Sequence, residues 1–337
     1  MSKKQRKHDD AARAYAALNP DAILGAVEKA GHRCDGRLQA LNSYENRVYQ
    51  IGRTDDSPLV VKFYRPGRWR TDQILEEHDF CAQLRAADLP VIVPLNDDHG
   101  DTVIEDGPYR LSLYAQTIGR PPSFDDPEHR KLLGRFAARL HNVAVLGQFA
   151  DRPELNVETF GHESMMALFD SGHVPDELAE AFDAAGAHAM DRAEQLFEQC
   201  APVHNHRLHG DLHAGNILWT DEGPVVMDFD DCATGPALAD LWMFLSGDRD
   251  YQEQCLADLV EGYEQFRAFP YAQLPLVEAL RTLRVVHHAA WIARRWADPA
   301  FPRAFGFFAT QRYWQDLILT LKEQLSVMHD DPLRVNL

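Results

Sequence analysis

The apolar positions of the first 117 residues alternate as they do in strands, except in one stretch with helical spacing. "RLQALNS" and "ENRVYQIGR" predict two strands joined by a polar turn, Ser43 to Asn46, and the β-branched run "PLVVKFYR" predicts a third. "TDQILEEHDFCAQLRAAD" predicts a helix, and "DTVIEDG" and "YRLSLYAQ" predict further strands. The pattern therefore indicates a small antiparallel sheet with one helix.

After a Gly/Pro hinge near Gly119, helical spacing dominates, over 127–142, 176–199, 237–266 and 276–296. The exception is a predicted hairpin, in which "TDEG" joins "NILW" to "PVVMDF". We expect an α+β, bilobal chain with a small β-rich N-terminal lobe and a larger, mainly helical C-terminal lobe. The first lobe, 1–117, would hold a helical N-terminal extension, the sheet and its helix. The second, 118–337, would hold the polar loop and the hairpin.

Composition and charge limit the classes of partner that the chain can bind. The chain of 337 residues carries 52 acids against 34 bases, a net charge of −18, which disfavours nucleic acid and anionic membranes as partners. No apolar run approaches the roughly 18 residues that a membrane span needs, and no secretory signal follows the basic N-terminus. The five cysteines form no CxxC pair. We expect a cytoplasmic protein with reduced thiols.

The segment "RLHGDLHAGNILWTDEGPVVMDFDD" concentrates polar and ionisable groups between apolar runs. One hypothesis is a zinc site built from His204, His206, His209 and His213, although the HExxH glutamate is missing and no cysteine lies close enough to complete a structural site. Another is an inconsequential solvated loop. Asp228 argues against the solvated loop, because a lone carboxylate in an apolar strand costs several kcal/mol unless it is paired or bound to metal.

A third hypothesis, phosphoryl transfer, accounts for more of these residues. Four residues separate Asp211 from Asn216, the Asp-to-Asn spacing of a kinase catalytic loop, and a second acid, Asp228, follows on the hairpin. Transfer of a γ-phosphoryl group requires a carboxylate to accept the proton of the incoming hydroxyl and hard oxygen ligands for Mg²⁺. Asp211 suits the first role, and Asn216 and Asp228 suit the second.

The N-terminal lobe offers a matching cation. Lys62 ends the apolar run "PLVVK", the position at which a kinase lysine binds the α- and β-phosphates of ATP. Its carboxylate partner should come from the following helix. Glu77 falls on the apolar stripe of that helix, whereas Glu76 falls on the polar side. We therefore predict that Glu77 pairs with Lys62.

The loop "HGDLHAGN" resembles H-G-D-x-H-x-x-N of the aminoglycoside/choline-kinase branch of the protein-kinase-like fold. Longer stretches, among them "LNSYENRVYQ", "GPALADLWMFLSGD" and "RRWADPAFP", look like bacterial stress response kinases within it. The resemblance implies a cytoplasmic, monomeric serine/threonine protein kinase that uses ATP and Mg²⁺ and protects bacteria against stress-induced death.

The same resemblance implies roles for individual residues. Asp211 would be the catalytic proton acceptor, and Asn216 and the catalytic Asp228 would bind Mg²⁺. Ser43, in the turn, would contact ATP. Asp240, in "GPALADLW", would brace the catalytic loop.

Some features depart from the kinase pattern. The turn "NSYENR" contains no glycine, the D-F-G position reads "DFD", and no A-P-E follows. We expect an enzyme that needs no activation-loop phosphorylation. Asp230 and Asp231 would tune the metal or be solvated.

Two other functions stay open: a small-molecule kinase that acts on an alcohol such as an aminoglycoside, choline or homoserine, and a nucleotide-binding scaffold without catalysis. On the acceptor side, one helical face carries Arg284, His288, Trp291 and Arg295. That face would either line the substrate site or pack inside the helical lobe.

Overall fold

The computed structural model describes residues 15–54 and 56–335. They form two compact units. The first, here the sheet unit, comprises the described residues up to Arg120 together with Leu218–Asp230 and Ala297–Phe301. The second, the helical unit, comprises Pro121–Ile217, Asp231–Trp296 and the residues from Pro302 onward.

The sheet unit is built on a five-stranded antiparallel sheet of order β1-β2-β3-β5-β4. The strands are β1 (Cys34–Ala40), β2 (Arg47–Arg53), β3 (Leu59–Phe63), β4 (Ile104–Asp106) and β5 (Tyr109–Ala115). Lys62 of the central strand β3 lies opposite Val48 on one side and Ser112 on the other. The alternating pattern thus predicted β3, the strand that carries Lys62.

Two helices accompany the sheet. Helix α1 (Pro20–Lys29) begins at Asn19, whose side chain accepts a hydrogen bond from the backbone N–H of Ala22. Its apolar face packs with the apolar side chains of β2, β3 and β5. Helix α2 (Thr71–Ala86) buries Glu77 on the same stripe as its apolar residues. Of the expected N-terminal extension, residues 1–14 lie outside the described residues.

Strands β7 (Ile217–Thr220) and β8 (Gly223–Val226) form the hairpin that was expected in the helical lobe. Most of it belongs to the sheet unit. Val226 pairs with Val91, and the ring of Phe229 packs edge-on against Phe80 with centroids 5.9 Å apart. Hydrophobic spacing identifies a strand but not its partner, so sequence could not place this hairpin. The lobe boundary after residue 117 stays a prediction.

Helices dominate the second unit. They are α3 (Pro127–Ala144), a π-helical segment (Val157–His162), α4 (Glu163–Ser171), α5 (Asp176–Gln199), α6 (Arg249–Tyr263), α7 (Leu276–Arg295), the short α8 (Ala300–Ala304), whose first two residues are assigned to the sheet unit, and α9 (Gln311–Val327). Strands β6 (Asn205–Leu208) and β9 (Ala233–Pro236) form an antiparallel pair. Between them the two units contain both antiparallel sheet and helix, so the predicted α+β class is confirmed.

The continuous helix predicted over 237–266 is wrong. The chain forms 3-10 turns at Ala237–Asp240 and Trp242–Phe244, and α6 begins only at Arg249. Gly247 has a φ of +92°, which ends helical geometry there. The side chain of Asp248 then caps α6 by accepting from the N–H of Tyr251.

Candidate active site

Three carboxylates surround the buried ammonium group of Lys62 in the sheet unit. Its Nζ lies 3.1 Å from Asp228 Oδ1, 3.2 Å from Asp230 Oδ1 and 3.5 Å from Glu77 Oε1. Burial by itself would lower the pKa of Lys62, but the negative charges of Asp230, Glu77 and Asp228 raise it well above its usual range. Lys62 is therefore a fixed positive charge, with Glu77 beside it at the predicted position.

Asp228 differs from the other two acids of this cluster. Its side chain is 52% exposed, whereas those of Glu77 and Asp230 are 4% and 5% exposed. Its backbone has a φ of +62°, a left-handed conformation that is strained for a residue other than glycine. Asp228 lies two residues beyond the end of β8, and its half-exposed side chain keeps Oδ1 beside Lys62, so it presents a hard oxygen donor of the kind that Mg²⁺ accepts.

Asp230 is the acid whose importance the sequence understated. It is buried, which rules out solvation, one of the two alternatives for this residue. Its Oδ2 pairs with Arg68 and accepts a hydrogen bond from Asn46 Nδ2 at 3.0 Å. The one available signal was an acid at the glycine position of D-F-G, where a side chain can form ion pairs that glycine cannot.

The glycine-free turn is fixed by side chains. Glu45 Oε1 lies 3.1 Å from Arg65 Nε, and Asn46 Oδ1 accepts from the Arg65 backbone N–H at 3.2 Å. Arg65 also pairs with Asp298 at 2.9 Å. Ser43 is half-buried at the start of this turn. Ion pairs and hydrogen bonds therefore hold the backbone here in place of the sharp bends that glycine allows.

The second set of predicted residues lies in the helical unit, in the loop from His209 to Asn216. The fully buried Asp240 accepts hydrogen bonds from the backbone N–H groups of His209 and Gly210, both at 2.9 Å. Burial acts to raise the pKa of Asp240, but His141 and the backbone donors outweigh burial, so the pKa is lowered. Asp240 thus braces the loop, as the resemblance implied.

Gly210 is required for the shape of this loop. Its φ is +83°, and a Cβ atom there would lie 2.1 Å from the backbone oxygen of Asp231. Any larger residue would push the two backbone segments apart. The glycine of "HGD" is therefore a packing requirement as well as a conformational one.

The carboxylate of Asp211 is held by two side chains, those of Arg284 and His213. Its Oδ1 lies 2.7 Å from Arg284 Nη2, and its Oδ2 lies 3.4 Å from His213 Nε2. Burial would raise the pKa of Asp211, but His213, Arg284 and His209 lower it to about 2. The Nδ2 of Asn216 donates to the Asp211 carbonyl oxygen at 2.9 Å, so the amide oxygen is the Asn216 atom that could coordinate a cation.

Two histidines of this segment form hydrogen bonds with the loop backbone. His209 Nδ1 accepts from the N–H of Asp211, and His213 Nδ1 accepts from that of Gly215. Burial and the nearby His141 lower the pKa of His206 to about 4. Within 15–54 and 56–335, no three His, Cys, Asp or Glu side chains form a cluster that could hold a metal ion, which leaves a histidine zinc site without support there.

The structure thus brings Lys62, Glu77 and Asp228 together in the sheet unit and Asp211 and Asn216 together in the helical unit. Sequence reasoning missed the contact of Arg284 with Asp211 and the contacts of Asp230 with Lys62 and Arg68. All three join residues far apart in the chain. No helix in the described part of the chain has the length and apolar character needed to cross a membrane.

Comparison with known proteins gives three results. The family model described as "Phosphotransferase enzyme family" matches residues 37–277. "Stress response kinase A" of Salmonella choleraesuis and "Serine/threonine protein kinase RdoA" of Salmonella typhimurium are each 38% identical over 97% of this chain and 98% of their own length. The structure described as "Amicoumacin kinase hAmiN in complex with AMP-PNP, Ca2+ and Ami" superposes with a TM-score of 0.71 at 17% identity, covering 92% of this chain and 94% of that one.

Proposed function

This chain belongs to the phosphotransferase enzyme family, and on that premise we propose that it is an ATP- and Mg²⁺-dependent serine/threonine protein kinase of the bacterial stress response. The observation that carries the proposal is the loop of the helical unit, in which Asp211 is held as an anion and Asn216 is bonded to its carbonyl oxygen. The choice of a protein acceptor is supported by the name of RdoA, a relative matched over nearly its whole length.

Asp211 acts as the proton acceptor in this proposal. The acceptor hydroxyl hydrogen-bonds to the Asp211 carboxylate, which orients its oxygen for attack on the γ-phosphorus of ATP. The carboxylate takes the proton as the new P–O bond forms and the bond from the γ-phosphorus to the β–γ bridging oxygen breaks, releasing ADP. A pKa of about 2 keeps Asp211 ionised at neutral pH, so the base is ready in the free enzyme. The brace from Asp240 keeps the loop backbone fixed during transfer.

The nucleotide and the metal are assigned to the remaining residues. Asn216 and Asp228 would hold Mg²⁺, which when bound neutralises charge that develops on the phosphates. Lys62 would contribute its positive charge to the α- and β-phosphates, with Glu77 keeping it in position. Ser43, in the side-chain-fixed turn, would contact ATP through its hydroxyl and the neighbouring backbone N–H groups.

A small-molecule kinase is the second candidate. It is favoured by the fold that this chain shares with the amicoumacin kinase. The two candidates differ in the acceptor alone, since both require the same base and the same metal ligands. A scaffold without catalysis needs none of Lys62, Asp211, Asn216 or Asp228, and it does not account for them.

Labelled ATP separates the alternatives. The full-length enzyme, Mg²⁺ and [γ-³²P]ATP are incubated with cell lysate and, separately, with aminoglycosides, choline and homoserine. We expect label on Ser or Thr of proteins. Asp211→Asn should reduce transfer by about 10²-fold or more and leave ATP affinity nearly unchanged, because the base acts on the acceptor. Asp221→Asn, at the exposed tip of the hairpin, is the matched control.

Two results would contradict the proposal. Label that reaches only the small alcohols would replace the protein acceptor with a small one. Undiminished transfer by Asp211→Asn would remove Asp211 from its catalytic role.

A further inference from the structure

The C-terminal three-quarters of helix α7 have a charge opposite to that of the protein. Residues 279–297 contain four arginines and two histidines and no Asp or Glu, in a chain whose net charge is −18. Such a local excess of positive charge creates a field that attracts anions even when the remaining surface repels them. Arg281 pairs with Glu278 and Arg294 donates to the Glu163 carbonyl oxygen, so Arg284 and Arg295 are the two arginines that one face offers to a negatively charged partner.

Arg284 brings that positive charge to the catalytic base. Its Nη2 lies 2.7 Å from Asp211 Oδ1. An acceptor hydroxyl bonded to Asp211 must consequently come close to the Arg284 guanidinium. A charged group of the acceptor that lies nearer to Arg284 than to the Asp211 carboxylate is attracted if it is anionic and repelled if it is cationic, because Coulomb energy rises as the distance falls.

Aromatic rings continue the surface along the same face of α7. His288 lies one helical turn beyond Arg284, is exposed, and stacks on Trp291 with ring centroids 5.5 Å apart. Phe305 packs edge-on against Trp291 at 5.5 Å. Arg295 places its guanidinium 5.8 Å from the centre of the Trp291 ring. The exposure of His288 shows that this part of the face does not simply pack inside the helical unit.

We infer that this α7 strip, made of Arg284, His288, Trp291, Arg295 and Phe305, binds the acceptor and selects a Ser or Thr within a segment rich in Asp and Glu. Arg284 and Arg295 pair with the carboxylates of the segment, and the aromatic faces contact its backbone and apolar side chains. The inference rests on the proposed protein-kinase function and specifies its substrate class. Cationic alcohols such as choline or an aminoglycoside are the acceptors that the strip disfavours.

Binding of two labelled peptides tests the inference. The peptides have equal length and one serine, flanked in one by Asp and Glu and in the other by Lys and Arg. Fluorescence anisotropy is measured with the full-length chain, Mg²⁺ and AMP-PNP. We expect the acidic peptide to bind about ten-fold more tightly, a preference that added salt weakens. The negative charge of the whole protein would favour the basic peptide, which makes this test stringent.

Variants test whether the α7 strip causes the preference for the acidic peptide. Arg284→Gln should reduce the affinity for the acidic peptide about five-fold, whereas Arg284→Lys should retain most of it. Arg312→Gln removes the same charge from the exposed surface of α9 and should change nothing. Unfolding curves of all three variants identify any loss that arises from misfolding.

The outcomes separate this inference from the proposed function. Equal binding of both peptides, tighter binding of the basic peptide, or binding of neither refutes the inference. If Asp211-dependent labelling of proteins persists in that case, the protein-kinase proposal stands. Transfer that reaches only small alcohols refutes both.

Discussion

The ammonium group of Lys62 lies 3.2 Å from Asp230 Oδ1, almost as close as it lies to Asp228 and closer than it lies to Glu77. Asp230 occupies the position of the glycine in D-F-G and is paired at the same time with Arg68. A second buried cation therefore shares the negative charge that Lys62 alone would have to balance. This arrangement connects the segment that follows the β7–β8 hairpin to the glycine-free turn, because Asn46 donates a hydrogen bond to Asp230.

Asp230→Asn tests this connection. The substitution leaves Lys62 and Arg68 with one negative charge fewer in a buried setting, so we expect the free energy of unfolding to fall by about 3 kcal/mol. ATP affinity should fall as well, because the turn loses the group to which Asn46 is bonded. Urea unfolding and nucleotide titration measure the two effects.

The control for this prediction is Asp72→Asn. Asp72 pairs with Arg70 on the exposed side of α2, and both side chains are more than half exposed. Loss of such a pair should change stability by no more than about 1 kcal/mol. Equal effects of the two substitutions would show that the buried pairing of Asp230 contributes nothing special.

The effect of Asp240→Asn on the free energy of unfolding should depend on pH. The pKa of Asp240 is lowered in the folded protein, so its stabilising contribution is fully present above the unfolded value of about 3.9 and is lost as pH falls through the folded pKa. We expect Asp240→Asn to lower the free energy of unfolding by about 3 kcal/mol at pH 7. The difference from the parent protein should shrink below about pH 4.

Urea unfolding of the parent and the variant at several pH values between 3 and 7 measures this difference. Subtracting one curve from the other removes the contribution of the remaining acids. Asp221→Asn should show a difference near zero at every pH. A difference for Asp240→Asn that stays constant down to pH 3 would mean that the bonds from His209 and Gly210 do not depend on its ionisation.

Activity should not require phosphorylation of an activation loop. After "DFDD" the chain enters β9 and then the turn that carries Asp240, and the sequence contains no A-P-E that would end an activation loop. Treatment with a broad-specificity phosphatase, followed by its removal, should therefore leave the rate of transfer unchanged. A clear loss of rate that ATP preincubation restores would contradict this expectation.

Local patterns predicted several elements well because their causes are local. Alternation predicted β3 and the place of Lys62 on it, and helical spacing distinguished Glu77 from Glu76 on α2. The same reasoning failed at 237–266. There a glycine in left-handed geometry, Gly247, and an aspartate cap, Asp248, divide a segment that has helical spacing on either side of them.

The sequence by itself determined which residues could perform phosphoryl transfer, since residue types and their spacing along one loop and one strand are local properties. Only the tertiary structure decided which charges face them. Arg284 meets Asp211, and Asp230 meets Lys62 and Arg68, across long stretches of chain. The physical reason is that burial makes the energy of a charge depend on its partners in space, and periodicity in a sequence records which side of an element is buried but not what covers it.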